Sequence, residues 1–124
     1  MAVSLGAIGG ALSRYYLETW LYHKGIGLPL AHMLINSSGC LLMGLFVTLA
    51  IKKNVPPEIR LLVSVGGLGS FTTFSSYQLD ASTIWDNGNP RESLVYWISS
   101  PLLGIVCLQV GNLIAHRWPQ KKRG

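Results

Sequence analysis

The feature that most limits what this chain can become is the spacing of its charges. Residues 2–13, 61–79 and 93–115 carry none, and residues 25–51 carry none beyond whatever proton His32 holds. A bilayer core requires about 20 apolar residues in a helix. Three of these stretches meet that length, and the first meets it once Arg14 and Glu18 are taken into the span. Only 12% of the 124 residues are charged, against about 25% in a soluble domain. A soluble core made of four such segments would have almost no polar surface. The expectation is an all-α membrane protein. Its single domain, residues 1–124, would contain four transmembrane helices at about 2–22, 28–51, 58–85 and 91–118.

A secretory signal is not expected at the N-terminus. No basic segment precedes the apolar run, no small-residue cleavage site follows it, and the run continues through Arg14-Tyr15-Tyr16. Cys40 and Cys107 each fall mid-span, where a thiol acts as a small packing residue. The net charge of +5 invites a nucleic-acid reading. The basic residues sit at helix ends rather than along a helical stripe, so they serve better as topology signals, and no nucleic acid is expected. His23, His32 and His116 are far apart and lack metal partners at ligand spacing. No catalytic constellation emerges, and enzyme activity is not expected.

The first helix opens with Ala2, Gly6 and Gly10 at four-residue spacing, a stripe that admits a second backbone closely. It ends among Tyr15, Tyr16, Trp20 and Tyr22, rings that favour the membrane interface. Pro29 suits the first turn of the second helix, and Pro56-Pro57 ends its continuation. The third carries Gly66-Gly67-Leu68-Gly69-Ser70-Phe71-Thr72-Thr73-Phe74 at its middle, poor material for a continuous helix. A break mid-membrane is expected there. Lipid cannot satisfy the freed backbone groups, so the break must be buried in protein or face an ion or water. Residues 86–90 form a loop. In the fourth helix Pro101 predicts a kink, and Gly104 and Gly111 share a face.

Four helices place both termini on one side, together with the loop between the second and third. That side holds Lys52, Lys53, Arg60, Arg117, Lys121, Lys122 and Arg123; the other holds Lys24 and Arg91. Positive residues stay cytoplasmic, so both termini are expected inside the cell.

Polar groups within a span are costly and point to function. Asn36 shares a face with Cys40 and Gly44; it serves either a pore or an interhelical hydrogen bond. Arg14 and Glu18, four apart, suit a structural pair, or Arg14 alone lines a vestibule that attracts anions. The run Thr72-Thr73-Phe74-Ser75-Ser76-Tyr77 is rich in donors. Ring edges are electropositive, so an anion can pass them edge-on. The carbonyls of an unwound turn suit a small hard cation instead. Plain packing of Phe71, Phe74 and Tyr77 against other helices explains the rings equally well.

Three motifs are similar to those of the CrcB/Fluc fluoride channels. They are Gly9-Gly10-Ala11-Leu12-Ser13-Arg14-Tyr15, Ile35-Asn36-Ser37-Ser38-Gly39-Cys40, and Gly66-Gly67-Leu68-Gly69-Ser70-Phe71-Thr72-Thr73-Phe74-Ser75-Ser76-Tyr77. The resemblance spans the chain and implies an antiparallel (inverted) dimer in a bacterial cell membrane, exporting fluoride from the cytoplasm down its electrochemical gradient. It implies a structural Na+ at the dimer centre on the carbonyls of Gly69 and Thr72. It implies a fluoride path lined by Phe74 and Tyr77, with Ser75 and Ser76 as the polar track and with Asn36 and Arg14 contributing. Two departures stand out: Tyr77 replaces a phenylalanine, and the family's fourth-helix serine falls on Gly104. One route through the subunit is therefore open to alteration. A homodimer needs balanced loop charge, whereas this chain is strongly biased; the expected partner is an inverted paralogue with opposite bias, with a second copy as the alternative. Two other functions compete. A small multidrug-resistance type transporter would need a deep, unpaired first-helix carboxylate, and Glu18 is the only candidate. A non-conducting structural partner subunit is the other.

Overall fold

The computed structural model describes residues 1–119 and is built of helices packed into four rods. The first rod is α1 (Ala2–His23), ended by Gly25, whose φ of +82° turns the chain. The second is α2 (Leu28–Lys52), with Pro29 in its first turn, where no helical amide is lost. It closes at Asn54, whose φ of 50° falls in the left-handed region that asparagine tolerates. The third rod begins with α3 (Pro57–Arg60), widens into a π-helical stretch (Leu61–Leu68) and ends in α4 (Gly69–Phe71). Thr72 and Thr73 then run extended before α5 (Phe74–Asp86) resumes. The fourth rod, α6 (Pro90–Arg117), starts on a proline and keeps Pro101 within a continuous helix.

The span expected at 58–85 is thus interrupted at Thr72-Thr73, beyond the glycines. Gly69 is right-handed helical at φ −63°, ψ −33°, so glycine flexibility is not what ends the helix. Gly66 and Gly67 serve packing against α1. A Cβ on Gly6 would overlap the Leu62 carbonyl, and one on Gly10 the Gly67 carbonyl. The four-residue stripe of α1 therefore seats that helix on the rod 57–71. Gly44 and Gly111 play the same part between α2 and α6, where added methyls would overlap the carbonyls of Leu108 and Leu41. Thr48 donates to Asn112 across that seam at 2.5 Å.

The polarity of the fold is inverted relative to a soluble protein. Leu5, Ile8, Val95, Leu102, Ile105 and Val106 are exposed, whereas His32, Ser37, Thr73, Asp80, Ser93 and Ser100 are buried. Backbones held together by small residues, with polar groups inside and apolar groups outside, suit a lipid solvent. Leu28–Lys52 and Pro90–Arg117 are long and apolar enough to cross a bilayer.

The rod ends also sort by position. Lys52 Nζ donates to the carbonyls of Ala115 and His116, each at 2.9 Å, so the end of α2 caps the end of α6. The Val3 carbonyl lies against Gly66, which places the start of α1 beside the π-helical stretch. Of the basic residues assigned to that end, Lys121, Lys122 and Arg123 lie outside the described residues.

Candidate functional site

Two threonines in succession leave the helical path because a partner on α2 takes over the backbone bonds of the second. Thr72 sits at φ −77°, ψ 154° and Thr73 at φ −142°, ψ 117°. Asn36 Nδ2 donates to the Thr73 carbonyl at 2.9 Å, and the Thr73 N–H donates to Asn36 Oδ1 at 2.7 Å. In a continuous helix that amide would close on the carbonyl of Gly69. Likewise the Ser76 N–H, which would close on Thr72, goes to Thr73 Oγ1 at 3.3 Å as an N-cap. The interruption therefore diverts the regular donors of both the Gly69 and the Thr72 carbonyls. Gly39 makes room for the crossing, since a methyl there would overlap Thr72 Cγ2.

A cavity of about 670 Å³ opens at this point. Asn36, Thr72, Thr73, Phe74, Tyr77 and Ser100 are among the residues lining it. The Phe74 and Tyr77 rings are tilted with centroids 5.6 Å apart, and Tyr77 meets Tyr96 at 5.5 Å, so three rings form a row across α5 and α6. The Tyr77 hydroxyl donates to the carbonyl of Trp97. That acceptor has a reason to be free. Its helical donor would be the amide of residue 101, which is proline and has none. The tyrosine thus replaces the hydrogen bond that Pro101 removes.

Other expected site residues are placed less uniformly. Asn36, Phe74, Tyr77 and Thr72 come together on one cavity. Ser75 and Ser76 do not line it among the described residues; their hydroxyls lie 3.4 and 3.0 Å from Thr73 Oγ1. Gly69 is exposed at the end of the rod, and Arg14 is half-buried on α1. Gly104 is buried on the cavity wall, where a Cβ would come 3.3 Å from Cys40 Sγ. Cys40 and Cys107 are both free thiols.

Residues 1–112 match the family described as CrcB-like protein, Camphor Resistance (CrcB). The chain belongs to the CrcB family. A relative from Synechococcus sp., named Fluoride-specific ion channel FluC, is 48% identical over 119 residues, covering 94% of this chain and 92% of the relative. A second of the same name from Trichormus variabilis is 47% identical over 117 residues, covering 92% of this chain and 85% of the relative. A third, from Moorella thermoacetica, is named Fluoride-specific ion channel FluC 1 and is 34% identical over 115 residues, covering 91% of this chain and 82% of the relative.

This CrcB chain also holds a buried polar cluster that the sequence reading missed. His32 Nδ1 lies 2.5 Å from Asp80 Oδ2, and the Tyr96 hydroxyl donates to the same oxygen at 3.0 Å. His32 Nε2 lies 3.2 Å from Glu18 Oε1. The expected Arg14–Glu18 pair is therefore corrected. Glu18 turns inward to the buried ring on α2 rather than along its own helix surface, because a charge facing lipid gains more from a protein partner. The available signal was helical spacing. His32 precedes Asn36 by four residues, and Asp80 follows Tyr77 by three, so each lies one turn from a residue already singled out.

Proposed function

We propose that this chain is a subunit of a fluoride channel that lets the ion leave the cytoplasm down its electrochemical gradient. The observation that carries the reading is the Asn36 clamp on Thr73. It exposes the N-terminus of α5 beside a groove lined by aromatic rings and hydroxyl-bearing residues. A helix N-terminus presents amide donors and a positive dipole end, which favour an anion. The relatives' names supply the identity of that anion.

In this reading all four rods span a bacterial cell membrane, with the interruption at mid-depth and both termini cytoplasmic. The carbonyls of Gly69 and Thr72 would hold a structural Na+ where two subunits meet. The fit is good, since a hard cation takes oxygen ligands and both carbonyls have had their regular helical donors diverted. Bound there, the ion would supply positive charge that ties two interrupted rods together. The loop-charge bias favours an inverted paralogue of opposite bias over a second copy. Ser75, Ser76 and Arg14 join Asn36, Phe74 and Tyr77 along the path.

A multidrug-type transporter is disfavoured by Glu18, which faces His32 instead of standing unpaired. A non-conducting partner role keeps one point in its favour, the presence of Tyr77 where the family's motif has a phenylalanine. Fluoride efflux from potassium-loaded proteoliposomes, read with a fluoride electrode, separates these possibilities. The chain would be reconstituted alone and together with a paralogue of reversed loop charge from the same genome. Fluoride efflux under either condition, with no chloride efflux, is expected. Silence in both would defeat the channel reading.

A further inference from the structure

Four rods converge on one imidazole. Glu18 reaches it from α1, Asp80 from α5, and Tyr96 from α6 through Asp80, while His32 itself belongs to α2. His32 and Asp80 are only 4% and 8% exposed. A carboxylate taken out of water needs donors and a counter-charge. Tyr96 supplies one donor. The remaining candidate is the ring, and both of its nitrogens face carboxylate oxygens. An imidazole carries hydrogen on both nitrogens only as the cation. The Nε2 contact with Glu18 is a charge contact without an aligned hydrogen bond.

The cluster is joined to the aromatic row. The Tyr96 ring that bonds Asp80 is the third ring of the row, 5.5 Å from Tyr77. Asp80 also lies one turn beyond Tyr77 on α5. An anion moving along those rings would pass a carboxylate at close range, and in a low-dielectric site a bare carboxylate would repel it strongly. The other ionisable groups nearby are few. Arg91 and Glu92 line an adjoining cavity with Met33 and Tyr96. Tyr77 stands inside the row. The rod 57–71 has its only charges, Glu58 and Arg60, near its start, away from the Thr72-Thr73 interruption.

We infer that His32 is a positioning residue for anion conduction: as an imidazolium it holds Asp80 on Tyr96 and cancels its charge beside the ring row. This rests on the fluoride-channel reading above. The neutralising role separates His32 from a residue that merely fills space, because its loss is repaired by removing the charge it balances.

The test measures fluoride efflux from proteoliposomes for the unaltered chain, His32→Gln, Asp80→Asn and the double variant. His32→Gln is expected to slow efflux about tenfold or more, the size of effect an unbalanced charge at this range produces. The double variant is expected to return to within about threefold of the unaltered chain, since a neutral amide needs no counter-charge. Unchanged efflux in His32→Gln would overturn the inference, and so would a double variant no faster than His32→Gln. Should His32→Gln fail to give monodisperse protein, His32→Asn, alone and combined with Asp80→Asn, decides by the same comparison. Absent efflux from the unaltered chain, both alone and with the paralogue of reversed loop charge, would instead bring down the channel reading itself, with this inference following.

Discussion

Asn36 grips the peptide of Thr73 by both its carbonyl, at 2.9 Å, and its amide, at 2.7 Å. A carboxamide is the side chain that fits this task, because it offers a donor and an acceptor side by side. Asn36→Ala would leave two part-buried backbone groups without partners, at a cost of about 2–4 kcal/mol. Asn36→Asp would keep the acceptor but set a carboxylate oxygen against the Thr73 carbonyl. Both substitutions should lower the unfolding temperature in detergent and slow fluoride efflux at least about tenfold, since misplacing the groups that line a site by an ångström is costly. Efflux at the native rate in Asn36→Ala would separate the clamp from conduction.

Tyr77 and Pro101 should be energetically coupled through the Trp97 carbonyl. Tyr77→Phe removes the hydroxyl and leaves that carbonyl without a donor, which costs about 1–3 kcal/mol. Pro101→Ala restores a main-chain amide at the position where a helix would supply one. In that background Tyr77→Phe should cost less than half as much. A thermal double-mutant cycle measures the coupling, and additive losses would refute it. The ring row is kept in Tyr77→Phe, so efflux should remain within about threefold if, as proposed, the ring and not the hydroxyl engaged with Trp97 meets the anion.

Much of this architecture can be read from charge spacing alone, because lipid tolerates so few departures from four uncharged helices. The site is less legible. Three glycines mark the third span as weak, yet they remain helical, and Gly66 and Gly67 pack on α1; the chain parts at Thr72-Thr73 because Asn36, 37 residues away in sequence, captures the backbone there. A tertiary bond of that kind has no local signature. Tyr77 reads as a simple departure from a phenylalanine until the missing amide of Pro101 is seen opposite it. His32, Asp80 and Glu18 are distributed over three helices at unremarkable spacings, and only the packing brings them to one point.

Glycines in α1 should divide sharply by face. Gly6 and Gly10 contact the rod 57–71 so closely that even alanine overlaps a carbonyl, whereas a Cβ on Gly9 meets nothing within 4 Å. Gly6→Ala and Gly10→Ala should each destabilise by about 1–3 kcal/mol, the usual range for overpacking. Gly9→Ala should be neutral or stabilising by up to ~1 kcal/mol, the helix-propensity difference. Yield and unfolding temperature of the three variants check this, and equal losses at Gly9 and Gly6 would contradict the packing.

The proposed orientation in the membrane is testable from the end that Lys52 ties together. Lys52 caps α6 through Ala115 and His116, so the 53–56 loop and the end of α6 share a side. The 87–89 loop lies at the far end of α5. With Lys52, Lys53, Arg60 and Arg117 gathered at the first side, the positive-inside rule predicts a cytoplasmic position for that side. Single cysteines at Val55 and Asn87, introduced after Cys40 and Cys107 are replaced by alanine, report this directly. Val55 should react with a membrane-impermeant maleimide only after the membrane is opened, and Asn87 should react in intact cells. Roughly equal labelling of both positions from outside would mean that the chain inserts both ways. In that case a second copy of the chain, and not a paralogue, would be the inverted partner.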